Sequence, residues 1–584
     1  MIYYVSPQGS NTFPGTEDKP VQTPEKALEL ARTHVGNRTI LLKEGLYEDV
    51  SLNLDERDSG LEIRGEGQAV LCGGRKISGW EKCGDSSYSA KLPSEIPADF
   101  RIITVNGSLR ERARFPAEGR LEYRSRFDSK WMSTSMGGWD IKPTKEQLTT
   151  LEYDPADISP DFDWQNAELT VFHRWDDSMS GISAHEFDKN IFRLSAELTH
   201  PPGGFDTNTY IIWNTKEGMK PGKWRVDKLR GILYFSPFKD EDISQLDVFV
   251  PSHHTIINLQ GEISKLTIDG LHFMLTSSPT TACGFGAINM PGALNSTAML
   301  SDCVFKNLHF AGTSGWGISL VADNGHVTVM GDGTEKSAGE QGNKNVIVEN
   351  CIIIDAGGGG IQLRGNTGCL IKDSKIKRAG RIYYSAAGIY ASNCDIISNT
   401  LCDLPYSGIT LAGGDRSLIS GNRISGAVRL LNDGAGIYVT FSENGVLRDN
   451  YVENVPSEGR QSQRHGLYLD EQANGWIVEG NITVNCPSAI LSHMNYREGN
   501  ILRSNSFICH EGDMTLIFIR CLNHRLESNN FHTSGTLSFG GKKDAITHFE
   551  GNRIYSAIGQ IKQINISDEY EWSEPVDFNG QNLF

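Results

Sequence analysis

The sequence Ile419-Ser420-Gly421-Asn422-Arg423-Ile424 is one copy of a pattern that recurs from about residue 345 to residue 554. Each copy holds an apolar residue, polar residues, an asparagine and a second apolar residue. Further copies occupy residues 348–352 (around Asn350), 447–452, 478–482, 502–507 and 549–554. Ser374, Asn399 and Asn529 fill the asparagine position in the intervening copies. Neighbouring copies are 23 to 31 residues apart, a period typical of solenoid proteins.

Each repeat also contains a short stretch that begins with glycine. Examples are Gly408-Ile409-Thr410-Leu411 and Gly436-Ile437-Tyr438-Val439, with others at residues 360–363, 388–391 and 466–469. Apolar residues alternate there with Gln, Thr or Tyr, which is the period of a β-strand and not of a helix. A glycine-rich repeat with two or three short strands predicts a right-handed parallel β-helix, in which stacked asparagines form a ladder at one corner.

Two segments differ from the repeats. Thr23 and Pro24 begin a helical pattern that runs to Ala31, and they predict a helix that caps the N-terminal end of the β-helix. Residues 80–250 are aromatic-rich and lack the repeat, which predicts an inserted β-barrel-like or β-sandwich-like module. We therefore divide the chain into residues 1–79 (cap and first coils), 80–250 (inserted module), 251–560 (main β-helix) and 561–584 (C-terminal tail).

Composition argues against several classes of function. The 584 residues carry a net charge of −17, which disfavours nucleic acid as a partner. No stretch approaches the ~18 consecutive apolar residues of a membrane span. No signal peptide is visible at the N-terminus, so we expect a cytoplasmic protein, or an exported one whose leader has been removed. The 11 cysteines form no C-x-x-C pair, and they predict buried thiols with no metal and no cofactor.

The glycine-led strands predict columns of side chains along the β-helix. The second position after each glycine holds Gln362, Tyr390, Thr410, Tyr438 and Tyr468, and the fourth holds Arg364, Ser392, Ala412, Thr440, Asp470 and His493. Because coils stack ~4.8 Å apart, these columns would form the floor of a continuous groove. Tyrosines in a groove are suited to stacking on sugar rings, and the arginine, aspartate and histidine beside them indicate a binding site. The alternative is that the tyrosines only cover the sheet.

The order of motifs resembles that of the β-helix glycosidases of glycoside hydrolase family 141. The motifs that carry the resemblance lie at residues 104–107, 113–116, 170–175, 221–227, 231–237, 433–438 and 466–470. The resemblance implies a β-barrel-like module inserted in a parallel β-helix and an α-L-fucosidase or xylanase activity. The β-xylosidases of family 120 are similar more distantly, through a Gly-x-x-x-Asp strand end.

The resemblance also implies two catalytic aspartates. The strand-end aspartate of family 120 looks like the nucleophile and corresponds to Asp470, whereas family 141 places the partner carboxylate at Asp433. The acid/base glutamate of family 120 would fall near Ser492, which argues against membership of that family.

The spacing of the two aspartates is a difficulty. Along a straight pair of strands they would lie ~20 Å apart, whereas glycosidic cleavage needs carboxyl groups ~5–9.5 Å apart. Residues 429–432 would have to fold Asp433 back over the groove. Glu443 and Glu471 are the alternative partners of Asp470.

Three further residues are expected near the groove. His465 either contacts sugar hydroxyls or belongs to a basic pair with Arg464 at the surface. Trp175 and Trp316 either wall the groove or pack the module against the β-helix. Together these residues predict a glycoside hydrolase acting on plant-type polysaccharides or their oligosaccharides, with fucoside or xyloside linkages favoured. A polysaccharide lyase or epimerase and a non-catalytic carbohydrate-binding β-helix are the alternatives. The oligomeric state is not indicated.

Overall fold

Parallel strands form three long ladders along a right-handed β-helix, as the repeats predict. The computed structural model describes residues 1–84, 86–279, 286–322, 342–456, 463–541, 545–556, 561–566 and 572–576. Residues 567–571 and 577–584 of the predicted C-terminal tail lie outside the described residues. The strand Ile561–Ile566 pairs in parallel with Leu537–Gly541, and Trp572–Val576 then pairs antiparallel with it.

The first ladder, here called the site face, carries the glycine-led strands. Its strands are Leu52–Leu54, Ile257–Leu259, Gly292–Ser296, Trp316–Leu320, Ile361–Lys372, Ile389–Ile397, Ile409–Asp415, Gly434–Glu443, Arg464–Leu469, Ser488–His493, Met514–Ile519, Leu537–Gly541 and Ile561–Ile566. The inward Ile and Leu side chains of these strands enter one continuous apolar core.

The other two ladders complete the coils. The second contains Ile2–Val5, Arg38–Leu42, Leu61–Cys72, Thr267–Met274, Val304–Lys306, Ile347–Glu349, Leu418–Ser420, Val446–Arg448, Ile477–Glu479, Ile501–Arg503, His524–Glu527 and Ile546–Glu550. The third contains Gly45–Tyr47, His309–Ala311, Ile352–Ile354, Lys375–Lys377, Thr400–Cys402, Arg423–Ser425, Tyr451–Glu453, Ile482–Val484, Ser506–Cys509, Asn530–Thr533 and Arg553–Ser556. Glu262–Ser264, Met299–Ser301 and Asn343–Lys344 are short strands between coils.

The asparagine repeat forms the predicted ladder. Each Nδ2 donates to the Oδ1 of the next asparagine at 2.9–3.0 Å, through the series Asn399, Asn422, Asn450, Asn481, Asn505, Asn529 and Asn552. The same amides bond backbone carbonyls, as Asn450 does with the carbonyl of Ile419 at 2.9 Å. The ladder thereby satisfies polar groups that would otherwise be buried without partners.

The prediction was wrong for Asn350. Strand register aligns Val348 with Ile371 and, two coils later, with Ile419, which puts Cys351 in the ladder position. Asn350 is exposed and left-handed, with φ of 51°. The residue before the ladder position turns the corner, and asparagine is one of the few residues that adopt a left-handed conformation readily.

A single α-helix longer than one turn occurs among the described residues, and it caps the N-terminal end as predicted. It spans Pro24–Arg32, and the Thr23 side chain accepts a hydrogen bond from the backbone N–H of Lys26. Ala27, Leu28 and Ala31 pack on the core. The other helices are short: Glu56–Asp58, Lys145–Leu148, Phe187–Lys189 and Ile243–Gln245.

The inserted module consists of three antiparallel sheets. The first holds Gly74–Lys76, Ile103–Val105, Ser108–Arg110 and Val248–Pro251. The second holds Arg114–Phe115, Leu121–Glu122, Thr150–Glu152, Glu168–Phe172, Asp177–Glu186, Ile191–Leu194 and Thr209–Trp213. The third holds Glu81–Lys82, Tyr88–Lys91, Trp224–Asp227 and Ile232–Phe235. The module has apolar clusters of its own and packs on the site face of the β-helix.

Candidate active site

A pocket of about 240 Å³ lies where the module covers the site face. Strand register aligns Tyr390 with Thr410, Tyr438 and Tyr468, which confirms the predicted column order. The three tyrosines are only 2–8% exposed, because the module covers this part of the predicted groove and leaves a pocket. The module closes it with residues 131–134 and Trp175.

Asp470 points into this pocket from the end of the strand Arg464–Leu469. Its backbone N–H donates to the carbonyl of Val439 at 2.8 Å, so it extends the pairing of two coils. Its carboxylate accepts a hydrogen bond from the Tyr438 hydroxyl and lies 2.7 Å from Nδ1 of His493. One carboxylate oxygen of Asp470 contacts Tyr438 and the other contacts His493, and these two contacts fix the orientation of the buried side chain.

Asp433 enters the same pocket from the opposite end of the neighbouring strand. The residues before it turn back at the corner: Leu431 donates its backbone N–H to the carbonyl of Pro405, and Asn432 donates to the carbonyl of Arg174 at 2.8 Å. Asp433 itself is left-handed, with φ of 53°. The insertion at residues 429–432 therefore folds Asp433 over the site face, and both aspartates line one pocket.

Two crossed hydrogen bonds connect the aspartates to the tyrosines of adjacent coils. The Tyr438 hydroxyl donates to Asp470, and the Tyr468 hydroxyl donates to Asp433 Oδ1 at 3.2 Å. The two rings meet edge to face with centroids 4.7 Å apart. Each tyrosine thus holds the carboxyl group of the other coil, and two touching rings bridge the pair.

The environments of the carboxyl groups differ. Removal from water and the neighbouring charge of Asp470 raise the pKa of Asp433 from 3.8 to about 6, against the opposing effects of Arg174, His493 and the Tyr468 hydroxyl. At weakly acidic pH, Asp433 therefore carries a proton that it can donate. A carboxyl group that keeps its proton at weakly acidic pH is suited to act as a general acid.

Glu471 lies in the pocket, but its carboxylate is hydrogen-bonded to the backbone of the module. It accepts the backbone N–H groups of Thr134 at 3.2 Å and Ser135 at 3.0 Å. Burial and the charge of Asp470 raise the pKa of Glu471. Glu443, the other alternative partner, does not line the pocket and instead pairs with Arg497 at 3.0 Å.

Of the other predicted residues, Arg364, Tyr390, His493 and Trp175 line the pocket, whereas His465 and Trp316 do not. His465 lies beneath Tyr468, with Nδ1 2.6 Å from Ser488 Oγ, and burial lowers its pKa to about 3. Trp316 is fully buried and donates Nε1–H to the carbonyl of Ala287 at 3.0 Å. The structure contradicts both interpretations of His465, which is buried and faces neither the pocket nor the surface. Trp316 does not wall the pocket, but it packs with the module residues Met179 and Phe249, as its alternative interpretation predicts.

Sequence reasoning missed two pocket residues of note. Trp131 of the module lies 5.2 Å from Trp175, centroid to centroid, and belongs to an aromatic cluster with Trp139 and Phe205. The Tyr406 hydroxyl donates to the backbone carbonyl of Asp433 at 2.7 Å. An aromatic-rich insert was the only sequence signal for Trp131, and Tyr406 lies outside the aligned strands.

The described ranges lack two features. No group of three or more His, Cys, Asp or Glu side chains suited to holding a metal occurs in them. No helix in the same part of the chain is long and apolar enough to cross a membrane. The ten cysteines that the structure describes are all free thiols, and eight of them are buried.

The fold and this pocket define the chain as a right-handed parallel β-helix protein with an enclosed, carboxylate-bearing site. The family model described as "Right handed beta helix region" matches residues 338–507 and 382–564. A solved structure described as a glycoside hydrolase is similar with a TM-score of 0.64 and 18% identity, over 87% of this chain and 96% of that chain. XylC, solved in complex with xylose, is similar with a TM-score of 0.51 and 13% identity, over 95% of this chain and 86% of that chain. No curated protein matched the sequence. At these identities the similarity shows a shared fold.

Proposed function

We propose that this protein is a glycoside hydrolase that cleaves fucoside or xyloside linkages in plant-type polysaccharides or their oligosaccharides. The observation that carries the proposal is the pair Asp433 and Asp470 in one aromatic pocket. One carboxyl group has a pKa raised to about 6, and the other is held by Tyr438 and His493. The shared fold with a solved glycoside hydrolase supports the same conclusion.

The two aspartates take different roles in this proposal. Asp433, which holds its proton up to about pH 6, is the general acid that protonates the oxygen of the leaving group. Asp470 is the carboxylate that attacks the sugar or activates a water molecule on the other side of the bond. Tyr438 and His493 position Asp470 for that step, and Tyr468 positions Asp433.

The remaining lining fits a single sugar ring. Trp131 and Trp175 offer aromatic faces, and Arg364 offers hydrogen-bond donors to hydroxyl groups. A volume of about 240 Å³ is near the lower end of the ~300–1,000 Å³ typical of ligand pockets. We therefore infer that the enzyme acts on a terminal sugar rather than within a long chain.

The pocket fits a lyase or epimerase poorly. Such an enzyme must neutralise the carboxylate of a uronic acid at the reacting sugar, and this lining places Asp433, Asp470 and Glu471 beside a single arginine, Arg364. The negative charge of Asp470, and that of Asp433 once it ionises, would repel an anionic substrate. A neutral glycone is therefore favoured.

Hydrolysis of a panel of aryl glycosides, including α-L-fucoside and β-D-xyloside, tests the proposal. The wild type should release the aryl group from one glycoside, and Asp470→Asn should lose turnover while still binding the sugar product. Asp177→Asn is the matched control, because Asp177 is a buried aspartate that does not line the pocket. Undiminished turnover in Asp470→Asn would refute the role assigned to Asp470. If the wild type hydrolysed neither aryl glycosides nor oligosaccharides, the proposed hydrolase activity would be refuted.

A further inference from the structure

A second cavity, of about 830 Å³, lies between the module and the corner that precedes the site face. The module contributes residues 109–114 and 221–223, and the β-helix contributes residues 378–384, 403–405 and 429–430. Pro405 lines this cavity, while the next residue, Tyr406, lines the candidate active site. The two cavities therefore flank the same turn of the chain.

The charge of this cavity is opposite to that of the chain. Its described lining holds seven arginines and one lysine but only two carboxylates, in a protein whose net charge is −17. Six of the eight cations have a carboxylate partner, and for four of them that partner is not shared within the cavity, as with Arg429 and Asp403 at 2.7 Å. Arg101 and Arg112 share the fully buried Glu168, which also pairs with Lys228.

Two arginines remain without a counter-charge. Arg114 and Arg381 form no ion pair with any residue that the structure describes. The Arg114 guanidinium donates to the carbonyls of Pro116 and Gly119 and lies over the Trp213 ring, and none of these groups carries a negative charge. Arg381 is exposed at the rim of the cavity, where an incoming anion would meet it first.

Arg112 adds positive charge to the wall of the cavity. It is 6% exposed and lines the cavity, and its Nη1 donates to Glu168 at 2.7 Å. Its Nε and Nη2 are buried and have no hydrogen-bond partner among the described residues, and its guanidinium lies over the Trp224 ring, 5.9 Å from the ring centroid. Arg112 therefore contributes charge from behind the cavity wall, whereas Arg114 and Arg381 carry the proposed contacts.

The cavity has room for a ligand larger than a simple ion. A volume of about 830 Å³ falls within the range of pockets for organic ligands. The aromatic residues of the wall position the arginines: Arg114 lies over the Trp213 ring at 5.5 Å and Arg110 over the Phe238 ring at 4.7 Å. Arginine forks bind planar carboxylates through two parallel hydrogen bonds.

We propose that this second cavity binds an acidic saccharide, with the carboxylate of a uronic acid residue between Arg381 and Arg114. The proposal rests on the hydrolase function, because the site would hold an acidic part of the same glycan whose neutral terminal sugar enters the active site. It adds a specificity for acidic glycans that the active site itself does not show.

Calorimetric titration with trigalacturonate and with neutral xylotriose tests this proposal on the full chain. Trigalacturonate should bind the wild type, with affinity that falls as salt rises. Arg381→Gln should weaken that binding about tenfold or more, because it removes a charge-assisted contact. Arg416→Gln, which changes an arginine that is 81% exposed and outside both cavities, should leave the Kd unchanged. Neither variant should change the melting temperature or the hydrolysis of an aryl glycoside.

Several outcomes would overturn the inference. These are equal binding of xylotriose and trigalacturonate, an unchanged Kd in Arg381→Gln, and tighter binding of inorganic sulfate or of a mononucleotide. Formation of an ultraviolet-absorbing unsaturated product from trigalacturonate would also overturn it, because that would show a lyase. Hydrolysis of aryl glycosides without binding of trigalacturonate would refute this inference but not the proposed function. Binding of trigalacturonate without any hydrolysis would refute the proposed hydrolase activity but not the binding site.

Discussion

Replacing Asp433 with asparagine should make the protein inactive and, above pH 6, more stable. Removal from water and the charge of Asp470 raise the pKa of Asp433 from 3.8 to about 6. The folded state therefore binds this proton more tightly than the unfolded state does. It follows that the wild type loses stability as pH rises from about 4 to about 6, and the loss persists at higher pH.

The magnitude follows from the same shift. At ~1.4 kcal/mol per pH unit, the cost of ionising Asp433 approaches ~3 kcal/mol above pH 6. Asp433 is only partly buried, so we expect about 2 kcal/mol after screening by solvent. Asparagine keeps an oxygen that can accept the hydrogen bond of the Tyr468 hydroxyl and removes the charge. Asp433→Asn should therefore gain about 2 kcal/mol at pH 8 and nothing below pH 4.

Denaturant unfolding at pH 4, 6 and 8 measures this gain, and steady-state hydrolysis measures the loss of the general acid, ~10²–10⁴-fold in kcat. Asp177→Asn is the control: Asp177 is fully buried, and burial raises its pKa to about 7. Since its Oδ1 accepts the backbone N–H of Ser385 at 2.7 Å, asparagine should preserve that bond, gain stability above pH 7 and retain activity. A gain for Asp433→Asn that did not depend on pH, or a loss of stability at pH 8, would refute the reasoning.

The pH profile of kcat/KM should fall above about pH 6 as Asp433 ionises. Tyr468→Phe removes a hydrogen bond that lowers the pKa of Asp433, so the fall in kcat/KM should move to higher pH. A fall that stayed at the same pH would contradict the assignment of Asp433 as the general acid. Glu471→Gln weakens the two contacts that hold the module loop and should raise KM about tenfold with a smaller change in kcat; an unchanged KM would show that the loop does not depend on this charge. Asn450→Ala should cost ~2–5 kcal/mol in urea unfolding, because it removes several buried hydrogen bonds of the ladder. The matched variant Asn350→Ala, at an exposed corner, should cost ~1 kcal/mol or less, and equal losses in the two variants would contradict the register.

Much of the architecture was predictable because the interactions that determine it repeat along the chain. The asparagine period identified the β-helix, and alignment on the leading glycines placed Tyr390, Tyr438 and Tyr468 in one column. Parallel coils keep side chains in register through backbone hydrogen bonds, so the same alignment brought Asp470 beside His493. The misplacement of Asn350 shows the limit of this reasoning. A shift of one residue normally moves apolar side chains to the other face of a strand, but the run Ile352-Ile353-Ile354 is apolar in either phase and does not reveal the register.

The second half of the candidate site depended on contacts between distant parts of the chain. Asp433 reaches the pocket because residues 429–432 fold back against Pro405 and Arg174, and the latter belongs to a module more than 250 residues earlier. Trp131 lies in that same module. No local pattern encodes how the module sits on the site face, since its position results from packing between surfaces far apart in sequence. Local repetition therefore determined the β-helix and one carboxylate, whereas long-range packing decided the second carboxylate, the enclosure of the pocket and the charge of the neighbouring cavity.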